Sequence, residues 1–383
     1  MTEEKWAIRI CLSGFLSLIL FCVVPVSGVS RARRMVSGPQ SPQSLSQSSA
    51  DSLLIIGTAY NAATSQFRQP GGFGNGRLGA ITDPTQTVRS TADVERMLQD
   101  ALKSSRPATD LRFLAEAGYF QLNNAEYFVP VTLKIAGGQL AGSDYAKRIF
   151  LDVIGEVNGD GAIIQNFREA VDVRLSDEEA RELPMRQIAF ETGFTLFPGK
   201  YSFKFVVYDW NSGRIGTYQT AFVIPNLSKE AQELRISSVV LSNELIALEN
   251  ALPNSMQSRS FSADTQLAMD PLVIEGKQLI PAVTREFSKR RDLIVFLHAY
   301  EPAATTTEPL TAFVTLYRGQ TKVFETTPLT VKDPLGQTLR TVPVQVRVRL
   351  ANVPSGPYDC QITVLDTATQ KSAVWRSQIT VVD

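Results

Sequence analysis

From Tyr127 to its end, this chain alternates apolar and polar residues with a period of two and is punctuated by turn residues. Val344-Gln345-Val346-Arg347-Val348-Arg349-Leu350 alternates without a fault, the pattern of a strand with one face in a core and the other in water. The same reading predicts strands over Tyr127–Ile135, Ile188–Leu196, Tyr201–Tyr208 and Thr217–Ile224. Pro130 cannot donate to a ladder, so the first of these is expected at an edge or a bulge. Ile149–Val157 and Ala162–Phe167 flank Asn158-Gly159-Asp160-Gly161, two turn dipeptides in succession, and predict a hairpin. Ser176-Asp177-Glu178-Glu179 reads as a capped helical turn, Ser176 paired with Glu179. After a connector with one strand, Leu234–Leu241, the series resumes with Leu293–Tyr300, then Leu310–Tyr317 and Thr321–Glu325 around Arg318-Gly319-Gln320. Val344–Leu350, Tyr358–Leu365 and Val374–Val382 complete it.

The second series copies the first. Gly199, Tyr201, Asp209, Tyr218 and Phe222 recur at one constant offset as Gly356, Tyr358, Asp366, Trp375 and Ile379. Ser355 is one extra residue, and before it the offset drops by one, so that Ile188, Phe190, Thr192 and Phe194 fall on Val344, Val346, Val348 and Leu350. Self-similarity with a single accountable insertion means two copies of one structural unit. Short alternating strands separated by turns indicate antiparallel sandwiches. In immunoglobulin-like sandwiches a Tyr near the start of the penultimate strand bonds its hydroxyl back to nearby backbone, two residues before a core cysteine position. Tyr358-Asp359-Cys360 has that spacing, and Tyr201-Ser202-Phe203 carries an apolar substitute. Tyr201 and Tyr358 are therefore the tyrosine-corner candidates, and Cys360 is expected to be a small core residue. The expected fold is all-β: two tandem immunoglobulin-like or fibronectin-like antiparallel β-sandwiches.

The N-terminal part differs. Lys5 and Arg9 precede an apolar run, Ile10–Val24, and Val26-Ser27-Gly28 offers a small-x-small cleavage site. A run this short falls below the roughly 20 apolar residues a spanning helix needs, while Arg31, Arg33 and Arg34 directly follow it. Residues 1–28 are thus a signal peptide or an uncleaved membrane anchor, and residues 29–52 a Ser/Gln/Pro-rich linker. Residues 53–122 are expected to be irregular apart from one helix, about 92–104, in which Val94, Met97, Leu98, Ala101 and Leu102 share a face behind a Ser90 cap. The remaining boundaries are expected at 123–226 for the first sandwich, 227–270 for the connector and 271–383 for the second sandwich.

Composition narrows the function. Lys+Arg and Asp+Glu both number 38, so no net charge recommends nucleic acid or an anionic membrane surface. Membrane contact is expected only through the N-terminal segment, if uncleaved. Of three cysteines, Cys11 and Cys22 lie in the apolar run, which leaves Cys360 in a processed chain without an internal disulfide partner. Gly74, Gly76 and Gly79 spell G-x-G-x-x-G, but Asp83-Pro84 follows where a nucleotide-binding helix should open, so a loop is expected. Glu156-Val157-Asn158-Gly159-Asp160-Gly161 resembles the start of a calcium loop, yet Phe167 stands where a bidentate Glu is required. His298 has no companion histidine, and Glu178, Glu179 and Glu182 sit in a polar turn that offers little burial to shift a pKa. No catalytic, cofactor-binding or metal-ligating residue is assigned. Trp210, Asn211 and Ser212, in the turn after Asp209, are the candidate binding loop, since a rigid scaffold would position them.

Glu126-Tyr127-Phe128-Val129-Pro130-Val131, Phe287-Ser288-Lys289-Arg290-Arg291-Asp292-Leu293, Tyr317–Glu325 and Tyr358-Asp359-Cys360-Gln361 resemble the C-terminal half of exported bacterial proteins of the VWFA-related acidobacterial family. The resemblance covers roughly Thr91–Val382. Its members carry a von Willebrand factor A-type domain upstream, with a D-x-S-x-S metal motif. This chain has no such motif, so metal-dependent adhesion does not carry over. The resulting expectation is an exported, non-catalytic structural or protein-interaction module in the periplasm, cell envelope or extracellular space, working with a protein partner. A carbohydrate-binding accessory or part of an extracellular enzyme system is the alternative, and it requires Trp210 or Trp375 to lie flat at the surface.

Overall fold

In the computed structural model, residues 53–60, 91–140, 147–230, 233–247, 270–300, 309–331 and 341–383 are described. The signal or anchor, the 29–52 linker, Gly74–Gly79 and the Ser90 cap lie outside them. The first sandwich opens with strand β1 (Leu53–Tyr60) and helix α1 (Thr91–Lys103), followed by β2 (Phe113–Ala117), β3 (Phe120–Gln121), β4 (Tyr127–Ala136), β5 (Arg148–Gly159) and β6 (Ala162–Arg174). Helix α2 (Asp177–Glu182), β7 (Gln187–Leu196), β8 (Gly199–Asp209) and β9 (Ile215–Ile224) complete it. One sheet has the order β1-β7-β4-β2, with β3 also on β4, and the other the order β6-β5-β8-β9.

The second sandwich has the same plan. Its strands are β10 (Arg235–Ile236), β11 (Val240–Ser242), β15 (Glu286–Ser288), β16 (Leu293–Tyr300), β17 (Leu310–Arg318), β18 (Thr321–Glu325), β19 (Leu329–Val331), β20 (Thr341–Val348), β21 (Gly356–Asp366) and β22 (Lys371–Val382). β10, β11 and β20 flank β16, while β15-β22-β21-β17-β18 form the facing sheet, β19 joining β17. β16 and β20 thus repeat β4 and β7, and β22-β21-β17-β18 repeat β9-β8-β5-β6. Between the two copies β12 (Leu245–Ala247), β13 (Val273–Ile274) and β14 (Lys277–Leu279) form a small sheet of their own.

Two expected boundaries need correction. Residues 113–121 are not irregular, because β2 and β3 are one interrupted edge strand of the first sandwich, and β1 adds a further strand at the opposite edge. Likewise β10 and β11 lie within the expected connector but are the interrupted edge strand of the second sandwich. These pieces are too short for alternation to register. The expectation for Pro130 also fails, since β4 is a central strand between β7 and β2. The chain accommodates Pro130 by breaking its neighbour: the Pro130 carbonyl accepts from Gly118 N (3.1 Å), in the gap between β2 and β3. The missing donor faces that gap, so no ladder bond to β7 is lost.

Inside the first sandwich, Tyr127, Val129, Val131 and Leu133 of β4 pack against Phe203, Phe205 and Val207 of β8, with Phe190 and Phe194 of β7. Gly155 makes room for the Phe167 ring, which a Cβ there would approach to 2.1 Å. The β5–β6 hairpin turns through Asp160 (φ 49°) and Gly161 (φ 81°), so both central residues have the positive φ of a type I′ turn. That turn accounts for the calcium-like run. Ser176 and Glu179 form the complete capping box of α2.

Helix α1 covers the outer face of β5, β8 and β9 with Val94, Leu98 and Leu102 against Ile154, Val206, Tyr208 and Ile215. Its C-terminal carbonyls need donors, and the buried Lys204 of β8 supplies them, giving Nζ to Leu102 O (2.5 Å) and Ser104 O (2.6 Å). Nearer its start, Glu95 pairs with Arg168, which also donates to the buried Asp152 carboxylate (2.9 Å).

At the two corner candidates, Tyr201 Oη donates to Phe197 O (2.7 Å) and Tyr358 Oη to Pro354 O (2.6 Å). Tyr358 Oη also accepts from Arg318 (2.8 Å), whose guanidinium lies 4.8 Å from the ring centre. Replacing Tyr201 by Phe is expected to cost about 1 kcal/mol, and replacing Tyr358 by Phe about 1–2 kcal/mol because two bonds go with one hydroxyl. Urea denaturation of the two variants checks both the magnitude and the order.

Candidate functional site

The candidate loop is built from residues that already have partners. Asp209, buried at the end of β8, accepts from Asn211 N (3.0 Å) and from the Ser212 hydroxyl, while Gly213 N closes the turn on Asp209 O (2.7 Å). Asn211 Nδ2 donates to Arg148 O (2.6 Å). The Trp210 indole stacks on Phe150 (5.5 Å, 20°), meets Tyr208 edge-on and donates to Asp152 (3.2 Å). Asp366 repeats the arrangement in the second copy, accepting from Ala368 N (2.9 Å) and Thr369 N (3.2 Å). Both turns are Asx-type closures fixed by one buried aspartate. Trp375 is half-buried against the second core. Neither indole forms the flat platform that a carbohydrate-binding surface would need.

Sequence reasoning missed a second cluster of unusual side chains, in the seam between the sandwiches. The interrupted edge strands meet there: Tyr119 N donates to Ser238 Oγ (2.9 Å) and Ser238 N to Tyr119 O (3.1 Å). Phe120, fully buried, leaves its own sandwich to pack with Val240, Leu272, Leu279, Ile294 and Phe296. Tyr300 makes the reverse crossing into the first core, and its hydroxyl accepts from Gln121 N (2.9 Å). His298 lies between them, edge-on to Phe120 (5.2 Å), Phe296 (5.5 Å) and Tyr300 (6.1 Å). Its Nδ1 has no hydrogen-bond partner, and burial pushes its pKa down to about 4. Cys360, in the second core, is pushed up to about 12 by burial, which leaves it a protonated packing group.

Beside this apolar plug lies a charged layer. Glu191 projects from β7 toward Asp270, with Thr132 and Lys134 of β4 alongside. Pro130, Thr132, Glu191, Asp270, Leu272 and Gln278 line a small recess of about 170 Å³. Burial, reinforced by the Asp270 charge, pushes the Glu191 carboxyl up to about 8 against the opposing pull of Lys134. Burial also lowers the Lys134 pKa, opposed by Glu244, Glu116 and Glu191. Glu116 is raised by burial and pairs with Arg285 across the seam, and Arg291 donates to Glu244 (2.9 Å). Asp270 accepts from Leu272 N (2.8 Å) and Gln278 Nε2 (3.3 Å). A carboxyl kept protonated near neutral pH can donate a hydrogen bond where a carboxylate cannot. The available sequence signal was a charge inside an apolar strand, Glu191 within Ile188–Leu196. Its partners lie on distant segments, which period-two reading does not connect.

No protein-family model matches the chain, and no curated protein matches it. Among solved structures it is similar to Bacteroides uniformis beta-glucuronidase 2 covalently bound to cyclophellitol-6-carboxylate aziridine, at 12% identity and a TM-score of 0.20, over 66% of this chain and 26% of that one. Parabacteroides merdae beta-glucuronidase is matched at 11% identity and a TM-score of 0.20, over 68% of this chain and 28% of that one. A biofilm-associated protein BSP domain is matched at 10% identity and a TM-score of 0.17, over 70% of this chain and 59% of that one. This chain therefore spans about a quarter of each glucuronidase. Likeness of this size fixes neither fold nor function.

The sign of the Glu191 effect follows from its raised pKa. The folded chain holds a proton that the unfolded chain releases near the ordinary carboxylate range, so Glu191 makes stability fall as pH rises from about 5 to about 8 and level off above. His298 acts oppositely, its lowered pKa costing stability as pH falls from about 6.5 towards 4. Glu191→Gln is expected to raise the melting temperature at pH 8.5, by roughly 2–4 °C per kcal/mol recovered, and to flatten the descent between pH 6.5 and 8. Calorimetry of both proteins across that range measures it.

Proposed function

We propose that this chain is an exported, non-catalytic structural and protein-interaction module of the cell envelope, built on a stiff tandem of immunoglobulin-like sandwiches. The observation that carries the reading is the seam, in which each sandwich buries an aromatic side chain of the other, Phe120 one way and Tyr300 the other. Such a junction makes two modules into one spacer of fixed geometry, which suits a protein that presents surfaces. The apolar run Ile10–Val24 supports export, and the resemblance to the VWFA-related acidobacterial family supports an envelope location. The side chains with chemical potential are engaged in the scaffold: Trp210 on Phe150, Asp209 in its turn, His298 among aromatic rings.

A surface for a protein partner is present at one end of the first sandwich. Phe197 is 61% exposed, Val223 56%, Ile163 47% and Ile164 45%. They gather around the β5–β6 hairpin and the β7–β8 turn, where Ile164 and the Tyr201 ring both flank Gly159, Tyr201 bonds Phe197 O and Val223 lies opposite Lys200. Exposed apolar groups clustered on a folded scaffold mark contact surfaces. Crosslinking in intact cells, followed by mass spectrometry of the captured envelope fraction, tests the reading. A defined partner lost in Phe197→Ser/Ile164→Ser, with folding unchanged by circular dichroism, is expected. Recovery of the chain in the cytosol without a reproducible partner would overturn it.

A further inference from the structure

We infer that the outer edge of β7 is a strand-acceptor site and that its occupant in the assembled protein is strand 53–60 of a second copy of this chain. β1 pairs with β7 in parallel, from Leu53 opposite Gln187 to Tyr60 opposite Gly193, with one irregularity between Ile55 and Gly57. β7 is therefore an edge whose backbone groups are satisfied by an added strand.

The repeat shows how unusual this edge is. β20 occupies the matching place in the second sandwich, pairs only with β16 and carries an exposed Pro343 and an exposed Arg347. Proline and basic side chains are the devices that keep an edge strand from pairing with another chain. β7 has neither between Gln187 and Leu196, and its one charged residue, Glu191, is turned into the seam. The two copies thus differ where it matters for assembly: one edge is protected by its own residues, the other depends on a strand from elsewhere in the sequence.

That strand is joined to the rest of the chain through residues 61–90, a connection that can span at most roughly 100 Å at about 3.3–3.6 Å per residue. Connections inside a compact unit are commonly about 4–6 residues, and the two sheets of a sandwich are about 10 Å apart. The length therefore far exceeds what seating the strand on its own β7 requires, and it reaches β7 of a neighbouring copy. Exchange uses the same ladder in either case. Donation from each copy to the next is a heterologous contact, which propagates as an open chain unless it closes. The inference does not depend on export or on the identity of any envelope partner.

Directly paired positions on adjacent strands lie within the Cα separation a disulfide spans. In full-length chains carrying Cys11→Ser and Cys22→Ser, one preparation receives Leu53→Cys and a second, differently tagged, receives Gln187→Cys; the buried Cys360 stays in place. The two are co-expressed and oxidised, and a chain with both substitutions runs alongside. A covalent heterodimer in the mixture is the expected result. A double variant that crosslinks only within itself, with no heterodimer in the mixture, overturns the proposal, and so does failure of both to crosslink. Light scattering of the unmodified chain guards against misfolded variants: it should show concentration-dependent oligomers that Thr58→Pro abolishes, and a monomer at every concentration overturns the exchange.

Discussion

Phe120 and Tyr300 cross in opposite directions between the two sandwiches, and the rest of the architecture depends on that crossing. Each fully buried ring replaces solvent-exposed apolar surface on its host, and burying such a side chain is worth on the order of 1.5–3 kcal/mol. The crossing is possible because both edge strands are interrupted at the same place in the repeat. Pro130 imposes the first gap, and Tyr119 and Ser238 use their freed backbone groups to bond across the two gaps. A local defect in each sheet thus becomes the joint between them.

The joint also explains the chain's buried charges. The sheet face carrying Thr132, Lys134 and Glu191 would be an ordinary wet face in an isolated sandwich. Docking of the second sandwich removes it from water, and the layer holds through pairs such as Glu116 with Arg285 and through a Glu191 that keeps its proton. Buried pairs of this kind add little net stability but penalise wrong registers strongly. On the opposite face of the first sandwich, α1 plays the corresponding covering role, with Lys204 closing its C-terminus. Both outer faces of the first sandwich are therefore occupied.

The strands of both copies, their hairpins, helix α1 and the capping box of α2 were legible in the sequence, because period, turn dipeptides and caps are local signals. The tandem β-sandwich plan followed from the repeat. Less visible were β2, β3, β10 and β11, two to five residues each, which take their identity from the strand they pair with. Pro130 was legible as a constraint but not in its resolution, which moved the break to the neighbouring strand. At the candidate loop, Trp210, Asn211 and Ser212 sit in the expected turn, yet their partners Phe150, Asp152 and Arg148 lie far back in the chain. The chemistry of Glu191 was equally hidden, since Asp270 reaches it only through the seam.

The central claim is that the two sandwiches behave as one unit through the seam. It is tested most directly by single-tryptophan unfolding, since Trp210 belongs to the first sandwich and Trp375 to the second. Full-length chains with Trp6→Phe and either Trp210→Phe or Trp375→Phe leave one indole reporting on each half. The account predicts that both fluorescence signals change at the same urea concentration with the same slope. Two separate midpoints, with one sandwich unfolding while the other stays native, would contradict it.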